Sequence, residues 1–166
     1  MARVIATLGD DVSTDLIYPG RYMATVLPTE TPQFAFADMA ELNAKLKAKQ
    51  VAPGSVIVAG KNFGCGSSRE QACSCLKGWE LTVVAKGFAR IFLQNSINLG
   101  LSLVTAPDLE AKEGDELVVT ADAVLDQTSG RRFAVVPLPA ARQAIIDAGG
   151  LIPYTRRRVL QAAGKA

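Results

Sequence analysis

Short apolar runs alternate with amphipathic segments through the first two thirds of the chain. Four runs rich in apolar and β-branched residues predict strands, at residues 3–8, 55–59, 81–85 and 101–104. Helices are predicted between them, at residues 34–49, after an N-cap at Ser67 or Ser68, and at residues 87–98. This alternation of strand and helix is typical of an α/β fold.

The last third of the chain has a different order of predicted elements. Two strands are predicted at residues 115–120 and 132–137, joined through a turn-rich connection at residues 126–130. A helix at residues 139–148 is expected to end at Gly149-Gly150, and a basic tail of helical character follows.

Polar and proline-containing stretches separate the first strand from the first helix. Residues 9–15 form a polar loop, Pro19-Gly20 marks a turn, and residues 24–32 are expected to be irregular and exposed. No repeat, low-complexity segment or linker divides the sequence, so residues 1–166 are predicted to form one domain.

Composition and charge exclude several classes of function. The 166 residues carry 18 Lys and Arg against 16 Asp and Glu, a net charge of +2, which gives no electrostatic case for nucleic acid or an anionic membrane as partner. No apolar run approaches the roughly 20 residues needed to cross a bilayer, and the amino-terminal residues lack the pattern of a signal peptide. A cytoplasmic protein is the expectation.

Histidine is absent from the chain, which removes an imidazole base, a Ser-His-Asp or Cys-His pair and a histidine metal ligand. The three cysteines, Cys65, Cys73 and Cys75, match no common zinc or iron–sulfur spacing, so no metal ligands are predicted in this chain. Cys73 and Cys75 are expected to pack inside a helix, whereas Cys65 lies between two glycines and is expected nearer the solvent.

The segment Gly60-Lys61-Asn62-Phe63-Gly64-Cys65-Gly66-Ser67-Ser68-Arg69-Glu70 is the least ordinary part of the sequence. A glycine-rich turn, two hydroxyls, an arginine and a helix start together favour the binding of an anion. Arg69 could hold a carboxylate through two parallel hydrogen bonds. The alternative is a purely structural turn, with serine caps and a surface pair between Arg69 and Glu70. For Asp10, Asp11, Thr14 and Asp15 the alternative to a functional role is likewise a polar turn.

Residues 60–72 strongly resemble the signature of the small subunits of 3-isopropylmalate dehydratase, in the aconitase superfamily. Residues 11–23, residues 88–100 and residues 148–155 are similar to three further segments of that family. The resemblance implies a swivelling domain with three layers, β/β/α. It also implies a large subunit as partner, which holds the 4Fe–4S cluster and supplies the histidine chemistry. The implied reaction is the reversible dehydration and rehydration of a small hydroxy-dicarboxylate, as in leucine biosynthesis.

The same resemblance implies roles for individual residues. Ser67 matches the serine that removes a proton from the carbon beside a carboxylate, and Asp15 matches an aspartate that supports the acid–base groups. Ser68 and Arg69, together with Gly66, match the ligands of a substrate carboxylate.

Residues 22–25 resemble the loop that selects the substrate in this family. Ala24 stands where homoaconitase-like members have an arginine for an additional carboxylate, so Ala24 implies a substrate with an apolar side group; Thr25, in the same loop, is a further implied substrate-binding residue. Two alternatives stay open. The first is a related dehydratase subunit of the homoaconitase, dimethylmalate or citramalate type. The second is a solitary anion-binding module with the same fold.

Overall fold

The computed structural model describes residues 1–164. Within them seven strands form, which are Ala2–Thr7 (β1), Val56–Ala59 (β2), Thr82–Ala85 (β3), Ser102–Thr105 (β4), Glu116–Val119 (β5), Ala123–Asp126 (β6) and Arg131–Ala134 (β7). The α-helices are Thr14–Ile17 (α1), Ala40–Lys47 (α2), Glu70–Gly78 (α3), Arg90–Leu99 (α4), Ala140–Asp147 (α5) and Leu151–Ala162 (α6). Two 3₁₀ turns, Gly20–Tyr22 and Thr31–Phe34, lie between α1 and α2.

The strands follow the order β4-β3-β2-β1-β5-β6-β7. Strands β1 to β4 are parallel, whereas β5 pairs antiparallel with β1 and continues into the antiparallel strands β6 and β7. Because the carboxyl ends of parallel strands meet at one edge, the loops that leave β1, β2 and β3 converge there.

Alternate residues of the parallel strands face two separate cores. Ile57 and Val83 pack in a core with the helix residue Leu76. Val58 on the opposite face of β2 packs in a second core with Phe133 of β7. The parallel strands are therefore the middle layer, between helices and antiparallel strands. This confirms the expected β/β/α architecture.

Most of the predicted elements are present, with bounds that differ by a few residues. Helix α6 confirms the helical tail, and Gly149 ends the preceding helix with a positive φ of 88°. Residues 126–130 were predicted to join two strands, and the turn there does lead into β7, but an additional strand, β6, precedes this turn and includes Asp126. Strand β6 has only four residues, and its apolar pattern is too short to be distinguished from a turn by periodicity alone.

The region before α2 is more ordered than predicted. Helix α2 begins at Ala40 instead of residue 34, because Phe36 adopts a left-handed backbone conformation with φ of 52°. Residues 24–32 were expected to be wholly irregular and exposed, yet Thr31 is fully buried and its hydroxyl lies 3.0 Å from the Ser74 hydroxyl. None of the helices within residues 1–164 combines the length and the apolar character that a membrane span requires.

Candidate functional site

The loop between β2 and α3 is held on one side by the segment that follows β1. The backbone N–H of Gly64 donates to the Val12 carbonyl at 2.8 Å, and the N–H of Thr14 donates to the Cys65 carbonyl at 2.8 Å. Both segments leave parallel strands at their carboxyl ends, which is where open α/β sheets bind their ligands. The glycine-rich loop therefore lies at the edge of the sheet where a ligand-binding site is expected.

The other side of this loop is fixed by the segment that follows β3. Phe63 donates its backbone N–H to the Gly87 carbonyl at 3.0 Å and accepts from the N–H of Ala89 at 2.9 Å. The buried Phe63 ring meets the ring of Phe92 edge-on, with centroids 5.2 Å apart. Gly64, with a φ of 81°, lies so close to the Phe92 side chain that there is no room for a Cβ atom. The base of the loop is therefore rigid.

The two serines stand beyond this base and are exposed. The prediction that Ser67 or Ser68 caps a helix is wrong. The helix begins at Glu70, its N-cap is Arg69, and no side chain caps it. Arg69 has an extended backbone, with φ of −126° and ψ of 106°, so both hydroxyls precede the first turn and lie outside the capping position.

Neighbouring side chains hold the serines in place. The buried hydroxyl of Thr14 donates to the backbone carbonyl of Ser67 at 2.9 Å. The Nδ2 of Asn95, on α4, donates to the Ser68 Oγ at 3.4 Å. The Ser67 hydroxyl thus sits on an exposed loop whose backbone is restrained by a buried side chain.

Arg69 is the cation of the site. Its guanidinium Nη1 donates to the Asp15 carboxylate and, at 3.2 Å, to the Tyr18 carbonyl. The Arg69 side chain is only 14% exposed, whereas that of Asp15 is 60% exposed. The alternative of a surface pair between Arg69 and Glu70 is therefore wrong, since the guanidinium turns inward to an aspartate 54 residues away.

Asp15 belongs to a one-turn helix where the sequence predicted a polar loop. The Ser13 hydroxyl caps that helix by accepting from the N–H of Leu16 at 3.2 Å. Two acidic residues that precede this helix in the chain hold the glycine-rich loop through hydrogen bonds. Asp10 accepts from the backbone N–H of Lys61 at 2.7 Å, and Asp11 accepts from the Asn62 side chain at 2.7 Å.

Residues 22–25 lie beside the start of α3. Gln71 donates its Nε2 to the Met23 carbonyl at 3.3 Å, which joins this loop to the helix that follows Arg69. Ala24 is exposed and Thr25 is half-buried. The fold thus brings residues 15 and 22–25 into one region with residues 66–69, which lie more than 40 positions later in the chain.

The cysteines occupy the environments predicted for them. Cys73 and Cys75 are fully buried in α3, whereas Cys65 is half-buried and donates to the Asp11 carbonyl at 3.3 Å. Burial raises the pKa of Cys73 to about 12 and also raises the pKa of Cys75, so neither forms a thiolate at neutral pH. Within residues 1–164, no three His, Cys, Asp or Glu side chains come together as a metal site.

The sequence alone left the contributions of two residues undefined. For Thr14 both a functional role and a polar turn stay open, and Tyr18 is one unremarkable position within residues 11–23. Burial of a hydroxyl is the property that distinguishes both, and a sequence pattern cannot report it. The only available signal was an apolar context, since Tyr18 follows Leu16-Ile17 directly.

Comparison with known proteins gives one consistent result. The model of the family described as the aconitase C-terminal domain matches residues 11–108. A "3-isopropylmalate dehydratase small subunit" of Methanosarcina mazei is 42% identical over 91% of this chain and 93% of that protein. An "isopropylmalate/citramalate isomerase small subunit" of Methanocaldococcus jannaschii is 41% identical over 93% of this chain and 92% of that protein. A crystal structure of 3-isopropylmalate dehydratase from M. jannaschii superposes with a TM-score of 0.88 and 38% identity, covering 99% of this chain and 98% of that chain.

Proposed function

This chain belongs to the aconitase C-terminal domain family, among the small subunits of 3-isopropylmalate dehydratase, and we propose that it performs that role. With a large subunit it acts as a hydro-lyase that interconverts 2-isopropylmalate and 3-isopropylmalate. The observation that carries this proposal is the similarity to such subunits over nine tenths of both chains. The named relatives give no support to a solitary anion-binding module or to a homoaconitase.

Within this proposal, Ser67 is the base. Dehydration removes a proton from the carbon beside a carboxylate and the hydroxyl from the next carbon, and rehydration returns them in exchanged positions. The chain has no histidine, and Ser67 has an exposed hydroxyl on a restrained loop. The Arg69 guanidinium two residues away would favour the negative charge on the deprotonated Oγ of Ser67, which is neutralised when Oγ accepts the proton.

Arg69 is also the proposed ligand of a substrate carboxylate, together with Ser68 and the backbone of Gly66. Asp15 and Tyr18 both engage its Nη1, and among residues 1–164 no further hydrogen bond to the guanidinium forms, so other N–H groups of this planar cation can bind a second anion. Asp15 is proposed to support the acid–base groups by holding this guanidinium in place.

We propose that the large subunit carries the 4Fe–4S cluster. The buried, protonated thiols of Cys73 and Cys75 cannot serve as thiolate ligands, and Cys65 is alone on its loop. Ser67 and Ser68 lie on an exposed surface, which a second chain would have to cover to exclude water from the reaction.

The test is reconstitution with the large subunit encoded by the same organism. We expect the anaerobically assembled complex to convert 3-isopropylmalate, because the small subunit then completes a site with the cluster-bearing chain. The small subunit alone is the control and should show no turnover. The measurement is the absorbance of the unsaturated intermediate, which reports its release over time. Turnover by the isolated small subunit, or a complex inactive on every alkyl-malate, would contradict the proposal.

The Ala24→Arg substitution tests the loop that we propose selects the substrate. A guanidinium in place of the methyl group should disfavour the isopropyl group and favour a substrate with an additional carboxylate. We expect the ratio of kcat/KM for 3-isopropylmalate to that for homocitrate to fall about tenfold or more. The control is Ala141→Arg, an equal change at an exposed position on α5. An unchanged ratio in a complex that still assembles would contradict a role of Ala24 in selection.

A further inference from the structure

The side chain of Tyr18 holds both ends of the loop at residues 22–25. Its ring is fully buried, and its hydroxyl lies 3.2 Å from the carbonyl of Tyr22 and 3.3 Å from the carbonyl of Thr25. One phenolic proton is thus shared between two carbonyls that bracket Met23 and Ala24. Since the hydroxyl is enclosed, water cannot easily replace it as the donor to these groups.

Two further contacts restrain the same loop. Gln71 holds the Met23 carbonyl from α3, as described above. The ring of Tyr22 stacks on Phe34, with centroids 4.1 Å apart and planes inclined by 14°. The carbonyls of residues 22, 23 and 25 are therefore all held by side chains, and the exposed Ala24 is the position between them.

The backbone of Tyr18 contacts the other half of the site. Its carbonyl accepts from Arg69 Nη1 at 3.2 Å, and its N–H donates to the carbonyl of Thr14 at 2.9 Å. Tyr18 therefore touches the guanidinium proposed to bind the substrate carboxylate and, through its hydroxyl, the loop proposed to meet the substrate's side group.

We infer that Tyr18 is a positioning residue, which sets the distance between Arg69 and residues 22–25 and so sets the discrimination between substrate side groups. This inference rests on the proposed function. When the substrate carboxylate is bound to Arg69, the substrate's side group lies at a fixed distance from that guanidinium. If the loop at residues 22–25 could shift, it would accept side groups of different sizes. Loss of the Tyr18 hydroxyl should thus weaken selection while the acid–base groups stay unchanged.

The first experiment compares Tyr18→Phe with the wild-type complex. This variant keeps the ring and its edge contact with Phe34 and removes only the oxygen. We expect kcat for 3-isopropylmalate to stay within about twofold, KM to rise, and the preference in kcat/KM for isopropylmalate over citramalate to fall about threefold or more. Tyr154→Phe, which removes a phenolic oxygen on α6, is the matched control and should leave all three values unchanged.

Gln71→Met extends this experiment to the second contact. This substitution removes the donor to the Met23 carbonyl and keeps a side chain of similar volume. It should change the ratio of kcat/KM for isopropylmalate to that for citramalate in the same direction as Tyr18→Phe. Equal falls in kcat for both substrates, with the ratio preserved, would instead indicate general damage to the site and would overturn the inference.

The second experiment does not depend on activity. Amide hydrogen exchange of the isolated subunit should be about threefold or more faster in a peptide covering residues 19–27 of Tyr18→Phe, and unchanged there in Tyr154→Phe. Unaltered exchange would overturn the restraint by Tyr18 itself. An inactive wild-type complex would count against the proposed function only, because the exchange measurement would still report on the restraint.

Discussion

Replacing Ser67 by alanine is expected to lower kcat at least about 100-fold, the lower range for the loss of an acid–base group. In the proposed mechanism the Ser67 hydroxyl takes the proton from carbon, and this chain has no histidine to take its place. The loop should keep its shape, because its restraint by Thr14 uses the backbone carbonyl of residue 67 and not the side chain. The measurement is steady-state kinetics of the assembled complex.

The control for this experiment is Ser102→Ala, an equal change at an exposed position on β4. It should leave kcat and assembly unchanged. Size-exclusion chromatography shows whether Ser67→Ala still associates with the large subunit. This measurement distinguishes a chemical defect from a failure to assemble. If the assembled Ser67→Ala complex retained most of its activity, Ser67 could not be the base.

Replacing Gly64 by alanine is expected to lower the free energy of unfolding by about 3 kcal/mol. A left-handed backbone costs a non-glycine residue about 1 kcal/mol, and the added methyl group would overlap the Phe92 side chain, which adds a cost of about 2 kcal/mol. The expected fall in Tm is about 10 °C for a chain of this size, measured by thermal denaturation of the isolated subunit.

Gly54→Ala separates the two contributions. Gly54 has a φ of 80°, almost that of Gly64, but nothing lies within 4 Å of the position that its Cβ would occupy. It should therefore cost only the backbone term, about 1 kcal/mol. Equal losses of stability in the two variants would mean that contact with Phe92 does not fix the base of the glycine-rich loop.

Local patterns in the sequence were sufficient for most of the secondary structure. The strand at residues 56–59 is a continuous apolar run, and all four of its residues are buried. Helix α5 ends where Gly149-Gly150 makes a left-handed backbone inexpensive. Such signals act between neighbours in the chain, so they can be read without knowledge of the fold. The two 3₁₀ turns and the late start of the helix predicted from residue 34, which begins only at Ala40, depend on longer-range packing, and they were missed.

The candidate site was recognised through its glycine- and serine-rich sequence and the family signature that contains it. The amino-acid sequence is enough to identify the candidate residues, namely the loop with Ser67, Ser68 and Arg69, the acidic residue Asp15 and the absence of histidine. These are properties of residue type and of spacing within one segment, and folding does not change them.

Which of these residues meet depends on how the chain folds. Arg69 had a carboxylate one residue away, at Glu70, but its guanidinium pairs with Asp15 because parallel strands bring two distant loops to one edge of the sheet. The role of Tyr18 likewise depends on burial of its hydroxyl against carbonyls of the loop at residues 22–25. Hydrogen bonds between distant segments form only when packing brings their atoms within about 3 Å, and that distance is a property of the whole fold.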